Sequence, residues 1–341
     1  MDIDNLHLSR RAPGWRRTAP WKRRLASALA APLLLAHAHV AVASDFPTRP
    51  LRAVTPISPG SGGDQTLRYV ADKLSAALGQ PVVVENKPGA DTYLATQYVL
   101  TTPADGYTIL LVSPSLVTVP LLTPSAKYDP ADFRVIAVMT RGPAVFVTSP
   151  KSRFTAFTQL VDASRKAPGS VSLAIYGNTY RVGAAMLAMQ GGPKFNQISY
   201  KGVSQATADV IGGAVDVALV DLGAALPLIR AGQLRPLAAA TVARVPDMPG
   251  VPTVRESGFP DFDLYISIAL AVRSQTPEPA VRRLEAELDT ILKAPEFRDY
   301  SLKRSASGEV IALTGKEAAT MFAGEAVRFR KAAAALNAGT N

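Results

Sequence analysis

From Ser44 to the C-terminus the sequence holds no histidine, no cysteine and no tryptophan; His7, His37, His39, Trp15 and Trp21 all lie ahead of that point. A histidine-activated serine, a thiolate nucleophile, a disulfide and the usual zinc or copper ligand sets are therefore outside its chemistry. Serine–lysine and paired-carboxylate mechanisms need neither residue. The carboxylates, however, are spread along predicted helix faces, as at Glu285, Glu287 and Glu296, and no closely spaced set matches an oxygen-ligand calcium loop. The expectation is binding without turnover, with no catalytic residue, no metal and no cofactor.

The chemistry that remains is backbone chemistry. In Pro56-Ile57-Ser58-Pro59-Gly60-Ser61-Gly62-Gly63-Asp64 the glycines let the chain turn tightly and approach a ligand closely. A helical pattern follows at once, so its first N–H groups and positive dipole end face the turn, which suits an anion. The turn has no P-loop lysine and does not complete a dinucleotide fingerprint, which argues against nucleotides. A second turn of this kind follows a later strand, at Tyr176-Gly177-Asn178-Thr179-Tyr180-Arg181. One turn on each side of a cleft would give the two ends of a small molecule a helix N-terminus each. Arg181 is either a bidentate partner for a carboxylate or an ordinary helix-surface charge.

The elements that must hold these turns alternate in the manner of βα units. Strands are expected at 51–57, 81–84, 108–112, 135–139 and 144–148, with helices at 66–78 and 95–100 between them. The helix at 66–78 carries Leu67, Val70, Leu74 and Leu78 on one face and stops at Gly79. A second series gives strands at 171–176, 197–200, 215–220 and 234–241 and helices at 156–166, 182–190, 205–211 and 224–230. A strand at 265–272, a short strand near 310–313 and helices at 278–292 and 317–336 close the chain. Two series of similar size predict two α/β domains with mostly parallel sheets and helices on both faces, 44–143 plus 266–341 and 144–265, crossing near Gly142-Pro143 and Tyr265.

Residues 1–43 read as an export signal rather than as fold. Arg10, Arg11, Arg16, Arg17, Lys22, Arg23 and Arg24 precede an uncharged Ala/Leu-rich run over 25–42, and Ala41-Val42-Ala43 supplies the small residues of a cleavage site. The run is short for a membrane span, and without a cysteine there is no lipid anchor. The whole chain of 341 residues has a net charge of +10; without this segment 30 basic and 25 acidic residues remain. Those basic residues are scattered, without the clustering that nucleic-acid binding needs.

Taken in order, these segments resemble one family. The turn at 56–64, Val82-Val83-Val84-Glu85-Asn86-Lys87-Pro88-Gly89-Ala90, Pro103-Ala104-Asp105-Gly106-Tyr107-Thr108 and Tyr128-Asp129-Pro130 are similar to the tripartite tricarboxylate transporter receptors, the Bug receptors. So are Tyr200-Lys201-Gly202, Ile211-Gly212-Gly213, Ala225-Leu226-Pro227 with Ile229-Arg230-Ala231-Gly232, and Val251-Pro252-Thr253-Val254 with Glu256-Ser257-Gly258. The resemblance implies a Venus-flytrap (two-domain periplasmic-binding-protein) fold and a periplasmic location. It further implies capture of a small carboxylate or amino-acid-like ligand for integral-membrane permease subunits, by a protein that acts as a monomer. Carried over, the ligand-binding residues are Ile57, Ser58, Pro59, Gly60, Ser61, Gly62 and Asp64; Gly177, Asn178, Thr179, Tyr180 and Arg181; and Asp221. Asp221 is either a partner for a ligand ammonium or the cap of the next helix. Ser113 and Ser115 belong to the loop after the third strand.

The chain departs from the family in these same turns. Ile57-Ser58 replaces an aromatic residue and Pro, Ser61 replaces Gly, and Gly89-Ala90-Asp91-Thr92-Tyr93 stands where Gly-Ala-Gly-Gly-Asn is usual. A signalling partner that binds solute and then docks on a periplasmic sensor domain is the alternative from another class. A serine–lysine enzyme is a more distant one, because no activating base is apparent.

Overall fold

The computed structural model describes residues 46–304 and 308–338, so the expected export signal and cleavage site lie outside the described residues. β1 (Leu51–Thr55) buries every residue except Arg52 and is flanked by two parallel neighbours, β2 (Val82–Asn86) and β3 (Thr108–Val112). α1 (Gly62–Leu78) lies between β1 and β2; it buries Leu67, Val70, Ala71, Leu74 and Leu78 along one stripe and ends on Gly79 in the left-handed conformation. The stop at Gly79 is as the sequence predicts, but the helix starts four residues earlier than expected, inside the glycine-rich turn.

β4 (Phe133–Thr148) is one continuous strand where the sequence suggests two. Its first part pairs antiparallel with β9 (Tyr265–Arg273) and β10 (Glu309–Thr314); its last part, 144–148, pairs antiparallel with β7 (Val217–Asp221), and 145–148 with β8 (Arg235–Ala239). The sequence places the crossing between domains near Gly142-Pro143, between two expected strands. Pro143 instead takes the last position of the pairing with β9, opposite Tyr265, where one sheet gives way to the other and a missing N–H interrupts no ladder in mid-sheet. The first sheet runs β2-β1-β3-β9-β4. The second continues β4-β7-β5-β6, with β5 (Ser172–Tyr176) parallel to both β6 (Asn196–Tyr200) and β7. Each sheet is thus mixed: three parallel strands from βα units, bordered by the antiparallel strands that carry the chain between the sheets.

Both faces of both sheets are covered. Phe297, Leu74, Ile109 and Leu284 fill one side of the first sheet, and Val54, Leu110, Leu116 and Phe322 the other. Phe146, Phe157, Leu173 and Phe262 fill one side of the second, and Val145, Val210, Val220 and Leu226 the other. Helical residues come from α4 (Phe157–Lys166), α6 (Val203–Ile211), α7 (Leu222–Arg230) and α8 (Glu278–Lys293), among others. The last helix, α10 (Gly315–Ala338), serves both sheets: Ala318, Phe322 and Ala326 join a first-sheet cluster, and Phe329, Ala332 and Ala333 join a second-sheet one.

Two helices were not visible in the sequence. α3 (Ser115–Leu122) is apolar almost all round and contains Pro120, so it shows no amphipathic period. The carbonyl that Pro120 leaves without its helical partner is that of Leu116, and the Tyr128 hydroxyl donates to it at 2.9 Å. α9 (Pro295–Arg304) starts directly on a proline, a residue suited to the first helical position that in sequence reads as a break. No described helix is long and apolar enough to cross a membrane.

Candidate functional site

The turn after β1 is held from below. The Asp64 carboxylate is almost completely buried, and it accepts hydrogen bonds from the Gly60 N–H (2.8 Å), Arg68 Nε (3.0 Å) and Asn86 Nδ2 (2.7 Å). Burial alone would push this carboxyl up, but the hydrogen bonds from Arg68, Asn86 and Gly60 outweigh it and leave the group below its ordinary value. Asn86 also donates to the Ile57 carbonyl, and its own oxygen accepts from Arg68 Nη2, so β2 and α1 clamp the turn from both sides. Gly60 takes φ +82°, a conformation that glycine adopts without strain.

What the clamp leaves exposed is a helix start without a lid. Ser61 occupies the capping position, yet its hydroxyl turns back to the Ser58 carbonyl (2.9 Å) and α1 has no side-chain cap. A Cβ built on Gly62 would meet nothing within 4 Å, whereas one on Gly63 would run into the end of the Ile57 side chain at 2.6 Å. The first turn of α1 thus has no side-chain cap, and the space beside Gly62 is open, the two features that an N-terminal anion seat needs. Of the residues expected to bind at this turn, Asp64 has a framework role: its oxygens are engaged by the protein itself.

The second turn is occupied differently. α5 (Gly177–Met189) also lacks a cap from its own preceding residue, Tyr176. Its Asn178 N–H instead donates to Asp91 Oδ2 at 2.7 Å, across 87 residues of sequence. A Cβ on Gly177 would come within 2.9 Å of Asp91 Oδ1, and its φ of +70° favours glycine as well, so the close approach depends on glycine there. Ser115 Oγ, at the start of α3, donates to the same Oδ1 at 3.4 Å and lies 3.2 Å from Thr179 Oγ1; Asn178 Nδ2 donates to Thr123 Oγ1 at 3.0 Å. Ser113 is the support behind Ser115, accepting from its N–H at 3.4 Å. Asp91 itself sits between Ala90 and Thr92 in a run of three left-handed residues, φ +48°, +51° and +79°. Burial raises its carboxyl above the ordinary aspartate value, opposed by the Asn178 and Ser115 hydrogen bonds.

Tyr180 is nine-tenths buried or more and belongs to the core beside β5, so its ring lies beneath the turn rather than on it. Its hydroxyl is 3.0 Å from that of Tyr176, which donates to Asp221 Oδ2 at 2.5 Å. Burial drives both phenols well above their ordinary value. Asp221 Oδ1 accepts the Ala224 N–H at 2.8 Å, so this carboxylate caps α7, the plainer of its two sequence readings. Arg181 is exposed on the first turn of α5.

The structure thus joins Ser113, Ser115, Asn178 and Thr179 into one hydrogen-bonded group around Asp91, with Gly177 packed against its carboxylate, and links Tyr180 to Asp221 through Tyr176. The 56–64 turn stands on its own frame. All of them sit at carboxyl ends of parallel strands, β1, β3, β5 and β7, where open α/β sheets bind ligands. Asp91 and Thr123 were not foreseen as site residues. An acidic residue in a loop otherwise expected to be glycine and asparagine was the only signal. A concavity of about 490 Å³ lined by Asp72, Ser75, Gly79, Gln80 and Val82 lies at the opposite end of α1 from its N-terminal turn, away from this chemistry.

Two mixed sheets sharing a long crossing strand, with helix starts gathered at strand ends, define a two-domain periplasmic-binding-protein fold. Comparison with known proteins agrees. The chain belongs to the tripartite tricarboxylate transporter receptor family, whose model matches residues 66–334. It is 31% identical over 279 residues to a protein from the tcbD-tcbE intergenic region of Pseudomonas sp., covering 81% of this chain and 83% of that one. Protein BugT of Bordetella pertussis is 35% identical over 225 residues, 64% of this chain and 69% of its own. Among solved structures, periplasmic binding protein BugD superposes with a TM-score of 0.70 at 27% identity, covering 86% of this chain and 98% of that one. Rpa4515 of R. palustris, solved with adipate, gives 0.73 at 26%, covering 84% and 97%. Solute binding is the role of this family.

Proposed function

We propose that this protein is a periplasmic receptor that captures a small carboxylate between domains formed by 44–143 plus 266–341 and by 144–265. It then presents the ligand to the permease subunits of a tripartite tricarboxylate transporter. The observation that carries the reading is the N-terminus of α1, which has no side-chain cap, is held by the buried Asp64 with Asn86 and Arg68, and is open beside Gly62. A ligand carboxylate seated there meets main-chain donors and a dipole that are already in place, so little ordering has to be supplied at binding. Adipate in Rpa4515 supports an organic acid as the ligand class.

Residues 1–43 are removed on export, and the receptor works as a monomer without turnover. Mass spectrometry of periplasmic material should show a chain that starts at or near Ser44; an intact 25–42 segment would contradict both processing and release. The function itself is tested by a thermal-shift screen of mono- and dicarboxylates, amino acids and aromatic acids. A ligand at a hundred times its Kd stabilises the folded state by about 2.7 kcal/mol. At least one acid should raise the melting temperature; neutral sugars alone doing so would overturn the reading.

A further inference from the structure

The helix starts that follow the two turns, those of α1 and α5, are not equivalent. α1 has no side-chain cap and has open space beside Gly62, but at α5 a carboxylate is already in place, and it belongs to the protein. Asp91 Oδ2 takes the Asn178 N–H at 2.7 Å, Oδ1 takes Ser115 Oγ at 3.4 Å, and Gly177 leaves room for the carboxylate where any Cβ would collide with it. Three successive left-handed residues, Ala90, Asp91 and Thr92, bring the side chain there, a conformation that L-residues do not adopt without compensation.

We propose that Asp91 is a resident carboxylate that fills the α5 end of the cleft, so that this receptor selects ligands with one carboxylate and refuses dicarboxylates. The inference rests on the carboxylate reading of the α1 turn. A second ligand carboxylate arriving at α5 would find the Asn178 N–H taken and a like charge beside it. The ligand end that faces Asp91 is therefore neutral or cationic, and selectivity comes from this repulsive element as much as from the attractive one at α1.

The test compares wild-type protein with Asp91→Gly and Asp91→Asn by calorimetry and thermal shift, using butanoate against succinate and hexanoate against adipate. Glycine suits φ +51° and asparagine tolerates it, so both variants keep the local backbone. Wild-type protein should bind the better monocarboxylate of each pair at least about tenfold more tightly than its dicarboxylate. Asp91→Gly, which vacates the α5 N-terminus, should lose or invert that preference. Asp91→Asn, which keeps an oxygen on the Asn178 N–H but removes the charge, should fall between the two. Wild-type protein that binds succinate or adipate as tightly as the matched monocarboxylate would overturn the role of Asp91 and leave the carboxylate receptor standing. So would unchanged preference in both variants. If no carboxylate binds any of the three proteins, both readings fall together.

Discussion

Asp64 and Asp91 are two buried or half-buried aspartates with opposite shifts, and the difference lies in their partners. Asp64 has three donors, one of them cationic, and ionises below the ordinary aspartate value of 3.8; Asp91 has two neutral donors and ionises above it. A carboxyl lowered on folding stabilises the protein fully above its unfolded value and loses that contribution as pH falls through the folded one. The stability gap between wild-type protein and Asp64→Asn, from urea curves, should therefore be largest above about pH 4 and close below it. A gap that widens in acid would contradict the assignment. Asp64→Ala should cost about 1–3 kcal/mol, since it strands the Gly60 N–H and Asn86 Nδ2. At the turn itself, Ser58→Ala and Ser61→Ala should change ligand affinity by less than about 1 kcal/mol because the donors are main-chain. Arg181→Ala should be similarly mild if that exposed side chain is a surface charge.

At the scale of elements, α3 depends on a bond from outside itself. Pro120 leaves the Leu116 carbonyl without a helical donor, and Tyr128 replaces it from the loop ahead of β4. Tyr128→Phe should destabilise the protein by about 1–3 kcal/mol in urea unfolding, the cost of a stranded buried carbonyl; an unchanged midpoint would mean that another group takes over. α3 also shows where sequence reading stops. The amphipathic α1, α4 and α8 and the β-branched strands were legible because one face of each is buried and the other is wet. An all-apolar helix such as α3, a helix opened by Pro295 and a strand that continues through Gly142-Pro143 carry no such contrast. The 56–64 segment was legible as a tight turn because its glycines lie between a β-branched strand and a helical stripe, and the Asp221 cap because Asp before a helix has two well-defined roles. The Asp91–Asn178 bond could not, since its partners are brought together only when the crossing strands place α5 beside the loop after β2.

For the whole molecule, the segments that follow the first-sheet strands are already hydrogen-bonded to the helix that follows β5, through Asp91–Asn178, Ser115–Thr179 and Thr123–Asn178. β4, β9 and α10 also connect the sheets, and Leu121 and Leu122 of α3 pack against the second-sheet core, so separating the two sheets would have to bend or part these elements and break those three hydrogen bonds. Asn178→Ala removes the Thr123 bond and keeps the main-chain donor to Asp91. Its unliganded form should show a larger radius of gyration than wild-type protein by small-angle scattering, and ligand should bring the two together. Identical curves without ligand would place the restraint elsewhere. The central claim, that a ligand carboxylate rests on the bare start of α1, is tested most directly by titration calorimetry of Gly62→Val with the monocarboxylate that stabilises wild-type protein best. Nothing in the protein lies within 4 Å of the new Cβ, so the unliganded melting temperature should stay close to that of wild-type protein. Affinity should fall by about tenfold or more, because the valine occupies the space through which the carboxylate reaches the N–H groups. Wild-type affinity in Gly62→Val would contradict the account.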